Sequence, residues 1–121
     1  MCDCAKAVPR AGHRTAEAGA EVLVVPAPWL AGPHKEDHRR TLTHARAIET
    51  TSDVAAAGQG GTHYVGESSV IDPMGADLSA ALGRDDGIVT AVGSRQRVLE
   101  VRQINPTSAN RSGPRRNEAL P

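Results

Sequence analysis

Aromatic side chains are almost absent from this sequence, since its 121 residues include one Trp, one Tyr and no Phe. Aromatic rings normally supply much of the apolar area that a core buries. Val, Leu, Ile and Ala must fill the core instead, in a chain whose hydrophobic content is 39%. We therefore expect marginal stability, and the composition fits part of a larger core better than a complete small one.

Net charge and long apolar runs are also missing. The 14 basic and 14 acidic residues cancel at pH 7, which removes the electrostatic attraction that draws proteins to nucleic acids and acidic membranes. The longest apolar run, residues 22–30, is too short to span a bilayer and is interrupted by two prolines. No secretory signal pattern is seen at the start. We expect no nucleic-acid or membrane partner and a cytoplasmic location.

Cysteine occurs only at Cys2 and Cys4. One intervening residue makes a poor structural disulfide, and two thiols make a metal site only with further ligands. His34 and His38 stand four residues apart, as two ligands on one helix can. Neither this histidine pair nor the cysteine pair matches a recognised zinc pattern. The sequence therefore predicts no metal and no cofactor.

The hydrophobic pattern predicts an α/β domain. Expected strands cover residues 21–25, 53–57, 68–72 and 88–92, with a hairpin partner over 76–82, and expected helices cover 9–18, 36–50 and 94–103. The first strand is a short continuous apolar run, typical of a strand buried on both faces. Together with the long helix and the second strand it can form a crossover unit. Residues 1–104 are predicted to form the domain, and residues 105–121 a basic tail rich in Pro, Ser and Asn.

Two kinds of side chain could carry chemistry. Cys2 precedes a helix, and a helix amino terminus favours the thiolate, yet spacing alone favours an ordinary thiol.

Leu42, Ala45 and Ile48 recur at near-helical spacing and are expected to face the core. Glu49 follows on a neighbouring stripe, so we expect it to be partly buried, anchored by an arginine or by backbone donors, and structural rather than catalytic.

Several of these segments, taken in order, resemble the second half of the nitrilase superfamily of carbon–nitrogen hydrolases. The resemblance rests on the strand and proline-aromatic loop at 19–29, His38, the Arg46-Ala-Ile-Glu49 motif, Gly66-Glu-Ser68, the Asp72-Pro-Met-Gly75 turn, and Val101-Arg102, Pro106 and Arg115-Arg116. The ordered set from Gly19 to Arg116 is specific, although no single piece is. Arg46 and Glu49 then take structural roles.

This resemblance implies an α-β-β-α sandwich, of which the chain holds the C-terminal half, and hydrolysis of amide or nitrile bonds. It also implies a cysteine nucleophile, a glutamate base and a lysine that stabilises the tetrahedral intermediate. Cys2 is the expected nucleophile and Cys4 the second choice. Trp29 is expected to line the substrate pocket.

No Glu or Lys of this chain matches the positions of the family's base and lysine, which stand before the nucleophile. The expectation is a chain truncated at its N-terminus and inactive on its own. A module that only associates with another subunit is the alternative. Strands without their partners favour self-association, so a homo-oligomer is expected. A small amide or nitrile is the substrate expected of an active form.

Overall fold

The computed structural model describes residues 4–111, with side chains from Arg10 onward. The elements in chain order are α1 (Cys4–Glu17), β1 (Val22–Ala27), α2 (Lys35–Thr50), β2 (Asp53–Gly58), β3 (Ser68–Ile71), β4 (Asp77–Ala81), α3 (Arg95–Ile104) and α4 (Thr107–Arg111). This alternation confirms the predicted α/β class. Across residues 4–111, the helices are all too short or too polar to cross a membrane.

The four strands form one mixed sheet in the order β1-β2-β3-β4. β1 and β2 are parallel, with Val22 opposite Asp53 and Ala27 opposite Gly58. The crossover unit built on α2 is therefore confirmed. β3 and β4 follow as antiparallel neighbours.

The predicted turn at residues 72–75 joins β3 to β4. The Gly75 N–H donates to the Asp72 carbonyl at 2.9 Å, and φ at Gly75 is 80°, which favours glycine. The Asp72 carboxylate also accepts from the N–H groups of Met74 and Ala76, at 2.8 and 2.9 Å. These bonds fix the hairpin and confirm the expected partner of β3.

α1 and α2 lie on the same face of the sheet. A Cβ on Gly12 of α1 would be 3.5 Å from Leu23 and 3.8 Å from Thr50. Leu23, Ala47, Val54, Ala56 and Ile71 form the core between these helices and the sheet. The prediction that β1 is buried on both faces was wrong, because Val22 and Val24, on the other face, are 51% and 69% exposed. Helices cover only one side of β1 in the described part of the chain.

The prediction that Leu42 and Ile48 face the core was also wrong, since they are 38% and 42% exposed. The buried face of α2 carries Arg39, Thr43, Ala47 and Thr50 instead. The hydroxyl groups of the two threonines donate to carbonyls one turn earlier, at 3.0 and 2.7 Å. Polar side chains that are satisfied within their own helix cost little when buried. Their small size also brings the helix close to the sheet.

α3 packs at the edge of the sheet where β1 and β2 begin. Ser94 caps the helix as predicted, accepting from the Arg97 N–H at 3.2 Å, and Val98 and Val101 are buried. Arg102 donates to the Ala20 carbonyl at 2.6 Å, which ties α3 to the start of β1. Part of the expected tail forms α4, and its remainder, residues 112–121, lies outside the described residues.

The predicted strand at residues 88–92 does not form. Ile88 and Val92 are 93% and 92% exposed. This segment lies over the uncovered side of the sheet, where Ile88 lines a cleft with Val24 and Val70, and within residues 4–111 it pairs with none of the four strands. An apolar segment with strand propensity stays unpaired when it meets no free strand edge.

Replacing Val54 by Ala tests the core assignment. Val54 is 0% exposed, so the loss of two methyl groups and the resulting cavity should lower the free energy of unfolding by about 2 kcal/mol. Val92→Ala is the matched control, since Val92 is 92% exposed. Urea unfolding at low protein concentration measures both. Equal losses in the two variants would contradict the assignment of the core.

Asp53→Asn tests a buried charge. Asp53 is 5% exposed, and burial raises the pKa of its carboxyl group, with the negative charge of Asp72 adding to the increase. The folded state therefore holds this proton at higher pH than the unfolded state, and stability falls as pH rises from the ordinary carboxyl pKa through the raised one. Asp53→Asn should be more stable than the parent at pH 7, and the difference should shrink near pH 4. Urea unfolding from pH 4 to pH 7 measures this difference in stability between the variant and the parent. A difference that does not change with pH would contradict the raised pKa of Asp53.

Candidate functional site

The carboxyl ends of β1 and β2 lie at one edge of the sheet. Because these strands are parallel, Ala27 and Gly58 end side by side there. β3 begins and β4 ends at the same edge, since each is antiparallel to its neighbour. Ligand sites in α/β proteins occur at the carboxyl ends of parallel strands. This edge, with the loops at 28–34, 59–67 and 82–84, is the candidate site.

Glycines allow these loops to pack directly on one another. A Cβ on Gly58 would stand 1.7 Å from the Gly66 carbonyl oxygen, and a Cβ on Gly66 would stand 1.8 Å from that of Gly83. Any larger residue at either position would collide with backbone. The hydroxyl group of Ser68 accepts from the Gly58 N–H at 3.0 Å. Gly66 and Ser68 of the Gly-x-Ser motif thus hold the end of β2.

Trp29 lies in the loop that follows β1. Its carbonyl accepts from the Val65 N–H at 3.0 Å, and the Ala31 N–H donates to the His63 carbonyl at 2.9 Å. The loop at 28–34 therefore pairs with the loop at 59–67. The indole Nε1 of Trp29 is buried and has no hydrogen-bond partner within residues 4–111. That Trp29 lines a substrate pocket stays a prediction.

Arg39, on the buried face of α2, joins these loops and is 1% exposed. Its Nε donates to the Glu67 carbonyl at 3.1 Å, and its Nη1 donates to the Ala27 carbonyl at 3.3 Å. Burial lowers the pKa of the Arg39 guanidinium, and the negative charge of Glu67 opposes that decrease. Its Nη2 is buried and finds no acceptor among the described residues. Arg39 thereby holds the end of β1 beside the loop that leads into β3.

Glu67 connects the same loop to two further groups. Its backbone is left-handed, with φ at 58°. Its carboxylate accepts from Arg40 Nη2 at 2.8 Å and from the Gly83 N–H at 3.2 Å. The hydrogen bond from Arg40 to the Glu67 carboxylate raises the pKa of the Arg40 guanidinium. A space of about 10 Å³ beside Arg40 and Glu67 has room for one water molecule, and is far too small for a substrate.

The first turn of α1 lies near this edge as well. α1 runs antiparallel to β1, because only a short turn joins them, and Gly12 lies against Leu23. Eight helical residues from Gly12 back to Cys4 span about 12 Å, and four strand residues from Leu23 to Ala27 span about 13 Å. The backbone of Cys4 is therefore placed level with the end of β1. The Cys4 side chain and the whole of Cys2 lie outside the described residues, so the choice of nucleophile stays a prediction.

Arg46 and Glu49 lie at the opposite end of α2 from Arg39. Arg46 Nη1 pairs with the Glu49 carboxylate, and His13 Nε2 of α1 lies 3.7 Å from it. Ten helical residues separate Arg39 from Glu49, which is about 15 Å. Glu49 is therefore placed away from Trp29. This arrangement is compatible with the structural roles predicted for Arg46 and Glu49.

The sequence did not single out Arg39 or Glu67. A charged residue is rarely fully buried, so Arg39 was not assigned to the inner face of α2. One sequence pattern could have indicated its burial. Arg39 precedes Thr43 by four residues and Ala47 by eight, so the three side chains share one face of the helix. Residues 4–111 contain no cluster of three His, Cys, Asp or Glu side chains able to hold a metal.

Arg39→Met tests whether this guanidinium organises the edge. The substitution leaves the carbonyls of Ala27 and Glu67 without their charged donor, and should lower the free energy of unfolding by about 2–3 kcal/mol. Arg40→Met, one residue along and more exposed, should cost about 1 kcal/mol or less. Amide hydrogen exchange at residues 65–67 and 83 should quicken in Arg39→Met. Equal effects of the two variants would contradict this role of Arg39.

Known proteins share these features. Residues 5–103 match the carbon–nitrogen hydrolase family. The chain is 43% identical over 93 residues to putative protein YbeM of Escherichia coli K12, covering 77% of this chain and 49% of that protein. Deaminated glutathione amidase of Escherichia coli O157:H7 is also 43% identical over 93 residues, which cover 77% of this chain and 35% of the enzyme.

Solved structures agree with the sequence matches. The NitFhit protein of C. elegans superimposes with a TM-score of 0.78 and 27% identity, covering 99% of this chain and 29% of that one. The chain thus spans about half or less of the length of these relatives. The chain belongs to the carbon–nitrogen hydrolase family, and its one-sided sheet is a portion of the nitrilase-superfamily fold.

Proposed function

We propose that this chain forms part of an amidase whose nucleophile is Cys2, with Cys4 as the second choice, and whose substrate is a small amide or nitrile. The observation that carries the proposal is the topology of α1. Its first turn, at Cys4, is placed level with the end of β1, where the Trp29 loop and the loops held by Arg39 also lie. The similarity to deaminated glutathione amidase supports an amide substrate.

The chemistry would follow from a thiol at a helix amino terminus, a position that favours the thiolate. The thiolate attacks the amide carbon, and the carbonyl oxygen takes the negative charge. The tetrahedral intermediate expels the amine, which takes up the proton that the base removed from the thiol. Water then hydrolyses the thioester and restores the thiol. With a nitrile, the thiolate would add to the nitrile carbon and the nitrogen would take up the proton, which gives a thioimidate; water would then add, ammonia would leave, and the same thioester would follow.

Two further groups are needed for this reaction. A base must take the thiol proton, and a cation must stabilise the developing oxyanion. Lys6 and Glu17 do not match the positions of the lysine and glutamate that the family uses for these steps. We therefore infer that the 121-residue chain is inactive alone, and that residues beyond these 121, in the same or another polypeptide, supply the base and the lysine.

The described residues would shape the substrate side of such a site. Arg39 and Glu67 hold the loops at the strand ends, and neither is placed to act as the base because both are engaged in hydrogen bonds there. Trp29 lies in the loop that follows β1, at these strand ends, with its indole Nε1 buried. It is the candidate to contact the substrate.

A second function is a non-catalytic module that only associates with another subunit. The uncovered side of the sheet favours it, since Val22 and Val24 are exposed there. Both functions need residues beyond these 121, and they differ in whether the thiol reacts. A measurement of activity in the presence of the missing catalytic groups separates them.

Complementation with the N-terminal portion of the Escherichia coli O157:H7 amidase, the portion that this chain does not match, is the experiment. Together the two pieces should hydrolyse the amide bond of deaminated glutathione and release an amine and a carboxylic acid, and each piece alone should release neither. Cys2→Ala should lower kcat/KM of the mixture on the order of 10³-fold or more.

Cys4→Ala is the matched control and should leave activity within a few-fold of the parent. If Cys4→Ala loses activity and Cys2→Ala does not, the nucleophile is Cys4, the second choice. Unchanged activity in both variants would overturn the assignment of a cysteine nucleophile. Stable association without any product would favour the non-catalytic module.

A further inference from the structure

Glu67 lies between β2 and β3, and each of its polar groups is bonded. Its backbone N–H donates to the Gly83 carbonyl at 3.2 Å, and its carboxylate accepts from the Gly83 N–H, also at 3.2 Å. The carboxylate accepts from Arg40 Nη2 at 2.8 Å as well, and the Glu67 carbonyl accepts from Arg39 Nε at 3.1 Å. One residue therefore ties its own loop both to α2 and to the loop that follows β4.

The backbone of Glu67 has a conformation that favours glycine. Its φ is 58°, directly after Gly66 at 70°. Most side chains are strained in this left-handed region. Strained residues persist where the surrounding contacts over-determine them, and they cluster at ligand sites. The two bonds of the Glu67 carboxylate, on a side chain that is 9% exposed, are contacts of this kind.

A short paired segment connects Glu67 to Trp29. Val65 stands two residues before Glu67, and its N–H donates to the Trp29 carbonyl at 3.0 Å. Between these bonds and the strand ends, Leu30 pairs with Tyr64 in an antiparallel bridge. Val65 is fully buried, so dense packing leaves the segment little room to shift alone. A displacement of Glu67 therefore reaches the Trp29 loop through two residues of backbone.

A second ion pair joins the same helix to the same neighbouring loop. Glu36 of α2 accepts from Arg84 Nη2 at 3.1 Å. Its side chain is 37% exposed, against 9% for Glu67. Among the described residues, the Glu36 carboxylate bonds to none of residues 59–67. It therefore separates the loss of an ion pair at this edge from the loss of the connection to Trp29.

We propose that Glu67 is a positioning residue for the substrate, which acts by fixing the Trp29 loop at the strand ends. This inference rests on the proposed function, in which Trp29 is the candidate to contact the substrate. A contact made equally in the ground state and the transition state changes KM and leaves kcat. Loss of the Glu67 carboxylate should therefore release the loop at 28–34 and weaken substrate binding, while the thiol reacts at its former rate.

Fluorescence of the full chain tests the connection, because Trp29 is its only tryptophan. The indole Nε1 is buried in the parent. In Glu67→Ala the emission should shift to longer wavelength, and acrylamide should quench it more strongly. Glu67→Gln keeps the side-chain length and an acceptor for the Gly83 N–H, so it should retain the emission of the parent.

Glu36→Ala is the matched control and should also retain the emission of the parent. Circular dichroism in the far ultraviolet checks that each variant is folded. Glu67→Asn takes the place of Glu67→Ala if the latter does not fold, because asparagine tolerates a left-handed backbone and its shorter side chain does not span to Arg40. Equal responses of Trp29 to the changes at Glu67 and Glu36 would overturn the proposal.

Kinetics of the chain complemented by the N-terminal portion of the Escherichia coli amidase test the effect on substrate. With deaminated glutathione, Glu67→Ala should raise KM at least about fivefold and leave kcat within about twofold, and Glu67→Gln should restore KM. A lower kcat with unchanged KM would overturn the proposal. A parent mixture without activity would overturn the proposed function and with it the role in substrate binding, whereas the emission of Trp29 would still decide whether Glu67 holds the loop.

Discussion

The buried guanidinium of Arg39 is the interaction on which the candidate site depends. It bonds to the carbonyl that ends β1 and to the carbonyl of Glu67, so α2, β1 and the loop before β3 meet at one side chain. Carbonyls at strand ends lack partners from the sheet ladder, and a buried donor satisfies them where water does not reach. The glycine contacts between neighbouring loops then fix the remainder of the edge.

Much of the fold could be predicted from the sequence, because local signals decided it. Four of the five expected strands, the Asp72-Pro-Met-Gly75 turn and the Ser94 cap each depend on a few adjacent residues, and each formed where expected. Errors arose where tertiary contacts decide. The inner face of α2 follows small and polar residues rather than Leu42 and Ile48. The segment at 88–92 has strand composition but, within the described residues, meets no free strand edge.

The candidate site was harder to foresee, because its chief side chains act through backbone groups distant in sequence. Arg39 contacts carbonyls 12 and 28 residues away, and no local pattern announces such bonds. The Gly-x-Ser motif contributed only to the family resemblance, and in the structure its Gly66 and Ser68 both brace the end of β2. The half-covered sheet agrees with the family assignment. One helix layer and one strand layer form here, and the chain spans half or less of the length of its relatives.

The central claim is that the amino-terminal end of α1 brings a reactive thiol to the edge organised by Arg39. Acid quenching during turnover, followed by mass spectrometry of peptides, tests it most directly. With the complementary portion of the Escherichia coli amidase present, the account predicts the acyl group of the substrate on the peptide that contains Cys2 and Cys4. Fragmentation would place it on Cys2, or on Cys4 as the second choice. Amide hydrolysis with the acyl group on another residue, or with no acyl peptide under conditions that preserve thioesters, would contradict the account.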